Sequence, residues 1–590
     1  VRGVQWSHAA VLVLAGLWLL AVSWRKWPDV IVDFGRELYA PWRLVEGEVL
    51  YRDIAWLNGP LSVHWNALWF RVAGVGFGTL VAVNVALVAG FTALLHRVLS
   101  RLSYPLAALV GTLFFLFTFA FGATAGYGNY NFVAPYSHEA VHGLVLAIAA
   151  LAVLDAGERD HGRIRAGASG VLLGLAFLTK PEPFAAGLAG ALVALFLGRA
   201  GGPESARSGS SLASFASFAL GLVLPPLAAW GLLSLAMPAP EVARGVLGAW
   251  PAVLEGELAR LPYYRSSLGT GFDAPLGNLL AMLAWSAGFA GLLALGLALG
   301  RLLPATRRLP GAAVVALVAA IVLASTPISW NDVGHPLPLI LLGTGAVLWR
   351  ARSRSGDPLV RRLLGRRLAF TVFALVLLAK MLLAAKLWHY GFVLAAPASL
   401  VVVMALLCWL PPALERRGLA GVTAGALGLG LVAAIGWHCW RVSALTYGLR
   451  SQEVGSGSDR ILDNPSAAFA VRALAEIERH VPRDGTLLVL PEGIMLDYLS
   501  RRRAPTKHLN YMPPETLLYG EGAMLAALEA SPPDAVLLVH KDTQEYGFPL
   551  FGRDYGASIL AWVRARYAEV WTDGDPPLQP GSKFGITLLR

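Results

Sequence analysis

Three short segments carry residues whose types and spacing could do chemistry. The first runs Asp33-Phe-Gly-Arg36-Glu37 and is followed by Asn58-Gly-Pro-Leu61. Carboxylates at i and i+4 share one helix face, so Asp33 and Glu37 could bind a cation or hold one member as a general base. The plainer alternative is a solvated amphipathic helix lying on a bilayer. The second segment, Tyr136-Ser-His138-Glu139-Ala-Val-His142, runs straight into an apolar stretch. An ionisable residue at such a junction is costly, which makes Glu139 a second candidate acid. His138 and His142 flank it, but two histidines and one acid fall short of a zinc site and no HExxH is present. The third segment is Phe177-Leu-Thr-Lys180-Pro-Glu182. Lys180 is an edge cation able to meet a phosphate as a point charge, and Pro181 pushes the residue before it out of helical geometry. A lysine snorkelling to the interface is the alternative.

Further polar clusters are weaker. They are Tyr263-Tyr264-Arg265, Trp330-Asn331-Asp332 with His335, and Lys386-Leu-Trp388-His389-Tyr390. Arg265 and His389 are the best additional cations, and the aromatics otherwise read as an interfacial belt.

The elements that must position these residues are membrane helices. Of 590 residues, 56% are hydrophobic and 14% charged, against about 25% charged in an average soluble protein. A mean hydropathy of +0.59 excludes a water-faced globule, the dominance of large apolar residues excludes a disordered chain, and a count of two cysteines, Cys408 and Cys439, excludes a disulfide scaffold. Apolar runs predict about thirteen spans near 8–24, 72–95, 104–123, 140–155, 166–179, 183–198, 212–237, 276–300, 311–326, 336–350, 368–385, 390–410 and 418–440. The first is read as an uncleaved span, with a signal peptide cut at Ala21-Val22-Ser23 as the alternative.

The net charge of +11 gathers in short loops at 96–101, 159–165, 301–308, 350–367 and 415–417. That pattern argues against nucleic-acid binding and for positive-inside loops. Loops near 25–71, 124–139, 180–182, 238–275, 327–335 and 386–389 then lie outside, as does everything after Tyr447. Cys408 and Cys439 fall at opposite membrane faces and cannot pair. From Ser451 the chain reads as a small α/β domain over 451–590. Its expected strands are 485–490, 535–540 and 584–589, and its expected helices are 467–480 and 559–568.

The first loop resembles that of the GT-C class of integral-membrane glycosyltransferases, nearest the branch of protein O-mannosyltransferases and lipid A aminoarabinose transferases. The shared pattern is a span, the acid Asp33 about ten residues on, a helical stretch ending Glu46-Gly47, and Asn58-Gly-Pro-Leu61 before the next span. The class typically opens this loop with Asp-Glu. Here Phe34 replaces the second acid, and Glu37 is the nearest other carboxylate. Glu139 stands where the family keeps its second functional acid, and Leu178-Thr-Lys180-Pro resembles a Leu-Thr-Lys-Gly/Pro segment of the class. The likeness covers roughly residues 1–400.

The resemblance implies a GT-C-like polytopic helical fold that moves a sugar from a polyprenyl-phosphate donor to a glycan, lipid or protein acceptor, with inversion at the sugar. Asp33 would deprotonate the acceptor, with Glu139 and Glu37 as further catalytic candidates. Lys180, Arg265 and His389 would bind the donor phosphate, and Arg36, Asn58, Tyr136, His138 and Tyr390 would contact substrate. A divalent cation is left open, and the tail is expected to be a noncatalytic periplasmic domain helping to hold the acceptor. The expected setting is a bacterial inner membrane, and a membrane-protein complex would be a further partner. The alternatives are a noncatalytic GT-C-like assembly subunit and a transporter of lipid-linked sugar.

Overall fold

The computed structural model describes residues 2–124, 129–155, 162–199, 208–267, 274–303, 308–328 and 330–590. Each expected span falls on a helix, from Arg2–Ser23 to Gly421–Leu449. Among the described residues, seven helices are long and apolar enough to cross a membrane, and Pro105–Ala120, Pro181–Leu197 and Pro310–Ser325 are shorter apolar ones. Along Ser208–Leu233 the side chains of Leu220, Leu224 and Leu227 stand exposed, a face suited to hydrocarbon rather than water. The chain is a multi-pass α-helical membrane protein with a small C-terminal sheet. The basic loops at 159–165 and 301–308 fall partly outside the described residues.

Two spans depart from their expected bounds. The second occupies Phe77–Leu102, because Leu61–Ala73 forms a helix of its own that stops at Gly74, whose φ is +90°. The stretch expected at 368–385 is helical over Pro358–Leu377. Asp357 accepts the Leu359 and Val360 N–H groups and Pro358 sits in the first turn, so the helix starts inside the arginine-rich segment. Arginine is a good helix former and does not oppose this. Beyond Leu377 the chain tightens into a 3-10 turn over Leu378–Met381, which takes Lys380 out of the apolar helix.

The C-terminal part opens with an antiparallel pair, β1 (Gln452–Val454) and β2 (Ile461–Asp463). Its sheet contains β3 (Leu487–Leu490), β4 (Ala535–Val539), β5 (Glu569–Gly574) and β6 (Gly585–Leu589) in the order β3-β4-β6-β5. β3 and β4 are parallel, and β6 runs antiparallel to both of its neighbours. The apolar runs of β3, β4 and β6 are fully buried, as expected of strands covered on both faces. β5 carries no apolar run, only Val570 and Trp571 among polar residues and glycine, and none of its residues is buried, so the sequence hid it. Helices Ala468–His480 and Ala557–Arg566 match expectation, while Ile494–Ser500, Pro513–Tyr519 and Glu521–Ala530 are additional.

This sheet region is docked onto the first loop along its whole length. The Val30 N–H donates to Asp463 at 2.9 Å, the Ala55 N–H to the Lys507 carbonyl at 2.8 Å, and the Ala504 N–H to the Tyr39 hydroxyl at 2.8 Å. The loop helix Gly35–Val45 meets helix Ile494–Ser500 so closely that a Cβ on Gly35 would lie 2.3 Å from the Met495 nitrogen. Glycine at 35 is therefore a packing requirement. The second loop is stapled to the first by Asn129, which is fully buried. Its side chain accepts the Asp29 N–H and donates to the Val32 carbonyl, both at 2.9 Å.

Candidate active site

Where these pieces meet there is a cavity of about 800 Å³. Asp33 and Arg36 reach it from the first loop, Tyr130 and Tyr136 from the second, and Lys180 from the turn before helix Pro181–Arg199. Lys380, His389 and Tyr390 close one side, and Tyr263 and Tyr264 another. The sheet region contributes Glu492, Asn510, Glu515, Tyr519, Lys541, Glu545 and Tyr546. An apolar flank is formed by Ala185, Ala249, Trp250, Val253, Leu258, Val376 and Ala379.

Backbone pairing explains how Lys180 comes to the first loop. The Gly59 N–H donates to the Thr179 carbonyl at 2.9 Å, and the Leu61 N–H to that of Leu178 at 3.1 Å. A Cβ at Gly59 would sit 2.2 Å from the Leu178 oxygen, so only glycine allows the approach. Asn58 lines the cavity immediately beside this pairing.

Asp33 has φ +59° and His389 +56°, left-handed conformations uncommon outside glycine. Residues held this way cluster at functional sites. Burial raises the Asp33 carboxyl to about 6, with Arg36 opposing the shift and Glu492 adding to it. Burial lowers the Lys180 ammonium to about 8 against the attraction of Glu182. Its Nζ lies 3.4 Å from the Tyr136 hydroxyl and 5.2 Å from the ring centroid. Lys380 donates to Glu182 at 2.7 Å, a pairing of residues 198 positions apart.

His389 is held by two phenols. Its Nε2 is 2.7 Å from the Tyr130 hydroxyl and 2.8 Å from that of Tyr263. Burial, reinforced by Lys386 and Lys380, lowers the imidazole to about 3. That direction favours the uncharged ring, which can still hydrogen-bond. The surrounding rings pack closely, with Tyr130–His389 centroids at 4.1 Å and Tyr263–Tyr546 at 5.1 Å.

The expected site residues therefore divide. Asp33, Arg36, Asn58, Tyr136, Lys180, His389 and Tyr390 line the cavity. Glu37, His138 and Glu139 are buried behind its wall, 2% exposed or less. Glu139 accepts from Trp56 Nε1 at 3.1 Å and from the Ser137 hydroxyl at 2.8 Å. Asn84 donates through its amide nitrogen to His138 Nε2 at 2.9 Å, which fixes the proton on Nδ1, and Nδ1 donates to Glu37 at 2.6 Å. Burial raises the Glu37 carboxyl to about 7 despite Arg36 nearby. Arg265 is exposed and does not line the cavity. Among the described residues no group of three or more His, Cys, Asp or Glu is arranged to hold a metal ion. Glu139 has both oxygens engaged, whereas at Glu37 only Oε2 is hydrogen-bonded and Oε1 is buried without a hydrogen-bond partner.

No protein-family model and no curated protein matches the chain. Among solved structures it is similar to the archaeal oligosaccharyltransferase AglB from Archaeoglobus fulgidus, in complex with an inhibitory peptide and a dolichol-phosphate. That match has 12% identity and a TM-score of 0.46, over 99% of this chain and 74% of that one. It is also similar to ArnT from Cupriavidus metallidurans bound to undecaprenyl phosphate, with 12% identity and a TM-score of 0.43, over 98% of this chain and 97% of that one. A third is the arabinofuranosyltransferase AftD from Mycobacteria, with 13% identity and a TM-score of 0.38, over 98% and 41% of the two chains.

Several lining residues escaped the sequence reading. Lys380 stood inside an expected span, and Glu182 gave no sign of its partner across the chain. Glu492 and Lys541 follow apolar strands, the usual place for α/β sites, but in the sequence such residues read as turn and cap groups of a noncatalytic domain. Glu515, Glu545 and Tyr546 carried no local signal.

Proposed function

We propose that this chain is a GT-C-like membrane glycosyltransferase that moves a sugar from a polyprenyl-phosphate donor to a hydroxyl acceptor in the 800 Å³ cavity. The observation that carries the reading is the shared cavity itself. Asp33, a half-buried carboxylate, and Lys180, a buried-edge cation from a distant segment, line the same space. The Asp33 carboxylate takes the acceptor hydroxyl proton as the acceptor oxygen bonds to the anomeric carbon. The bond from that carbon to the phosphate oxygen breaks, and its electron pair leaves on the phosphate. Lys180 and Lys380 then stabilise the released charge. Displacement from the opposite face in one step inverts the anomeric centre. The apolar flank of Trp250, Val253, Leu258 and Val376 suits the first isoprene units.

In this reading Glu37, His138 and Glu139 are a buried frame. The hydrogen-bonded line from Asn84 through His138 to Glu37 holds the loop helix, and Glu139 fixes Trp56. The sheet side of the cavity receives the acceptor. The deciding experiment is transfer by the purified Asp33→Asn protein alongside its binding of undecaprenyl phosphate by native mass spectrometry. Lost transfer with retained lipid is the expected result, and transfer at the parent rate overturns the role of Asp33.

A further inference from the structure

Asp33 is held from two directions, and the second is the C-terminal sheet. β3 and β4 are parallel neighbours in register, with Leu490 opposite Leu538, so their C-terminal ends lie side by side. Glu492 follows the first strand and Lys541 the second. Glu492 is 4% exposed, and its Oε1 accepts the Asp33 backbone N–H at 3.0 Å. Its Oε2 lies 2.7 Å from Lys541 Nζ. The bond to the Asp33 N–H fixes the residue whose φ is +59°. It is not needed merely to dock the sheet, because Asp463, Lys507 and Ala504 already tie the loop down through other groups. A buried ion pair carries a desolvation cost that a packing contact would avoid.

We propose that the Glu492–Lys541 pair positions the Asp33 carboxylate and sets its charge environment, making the sheet a working part of the reaction centre. This inference rests on the reading of Asp33 as the base. Other charged groups facing Asp33 are Arg36 and Asp29 from its own loop and Glu515 and Glu545 from the sheet side. The phenols of Tyr130, Tyr136, Tyr263, Tyr264 and Tyr546 also face it, and burial raises each of them, so they stay neutral across the working range. Glu492 is thus the acid that touches Asp33 directly, and Lys541 is the cation that offsets it. Removing one or the other must move Asp33 in opposite senses. Loss of the Glu492 charge favours the Asp33 carboxylate, and loss of the Lys541 charge disfavours it.

The test is an infrared pH titration of the Asp33 carboxyl in the full-length protein, reconstituted in phosphatidylcholine nanodiscs, with Asp33→Asn assigning the band. Glu492→Gln, whose amide oxygen still accepts the Asp33 N–H, is expected to lower the midpoint by about one pH unit. Lys541→Met is expected to raise it by a similar amount, and the double variant to return it near the parent value. Unmoved midpoints, or shifts in the same direction, overturn the proposal. If Glu492→Gln fails to give a monodisperse protein, an unmoved midpoint in Lys541→Met alone is enough to overturn it, and an upward shift there upholds it. Because the readout needs no sugar donor, its failure is distinct from failure of the glycosyltransferase reading, which the Asp33→Asn transfer assay addresses.

Discussion

The two walls of the cavity carry opposite balances of charge. On the membrane side, Arg36, Lys180 and Lys380 face Asp33 and Glu182. On the sheet side, Lys541 alone faces Glu492, Glu515, Asp542 and Glu545. In the proposed reaction a phosphate-bearing donor would favour the first wall over the more acidic second one. The acids of the second wall are costly where they stand, as burial raising Glu515 to about 7 indicates. The contrast teaches that the more basic wall and the more acidic wall of one cavity are built from different parts of the chain.

The sharpest way to break this contrast is at the carboxylates. Asp33→Asn should reduce initial transfer rates by about 100- to 10,000-fold, the usual contribution of a general base. Glu139→Gln, behind Trp56, should instead act mainly on thermal stability. Equal losses of rate in the two variants would erase the distinction between a carboxylate facing the cavity and one committed to the frame.

Next in size is the cationic wall. Lys180→Met combined with Lys380→Met should weaken binding of undecaprenyl phosphate by about 10- to 100-fold, the worth of hydrogen bonds to a charged group. Titration in nanodiscs measures this directly, and an unchanged dissociation constant would move the phosphate elsewhere.

The pH profile sharpens the same comparison. Asp33 must be ionised, so the rate should fall as pH drops through about 6. Lys180 must be protonated, so it should fall again as pH rises through about 8. Initial rates across this range should give a bell, and Lys180→Arg should remove the alkaline limb because guanidinium stays charged. An alkaline limb that persists near pH 8 in that variant would belong to another group.

Smaller still is the effect at the joint between loop and lysine. Gly59→Ala should cost about 1–3 kcal/mol of stability through its clash with the Leu178 carbonyl, read as a lower melting temperature. The mildest change is expected for Tyr546→Ala on the acceptor wall, a rise in acceptor KM of a few-fold with donor binding intact.

What the sequence made legible follows from the range of each interaction. Apolar periodicity is local, so every expected span overlaps a helix even where the bounds differ, and the loops carrying Asp33 and Lys180 stood out as polar breaks. Glu139 was visible as an acid at a membrane junction, but nothing local says that Trp56 and Ser137 would claim both its oxygens. Lys380 was misplaced because its neighbours are apolar, and only the 3-10 turn after Leu377 exposes it. The strand ends at Glu492 and Lys541 read as ordinary turns and caps, because the orientation of the sheet toward the first loop depends on contacts such as Gly35 against Met495. Pairings that join residues hundreds of positions apart leave no mark in any window of sequence.

The short backbone ladder joining Gly59 and Leu61 to Thr179 and Leu178 ties two distant segments into one frame. With the loop stapled through Asn129 at one end and laced to the Lys180 turn at the other, Asp33 and Lys180 belong to the same scaffold. Loosening either tie should let the two residues drift apart with neither of them changed.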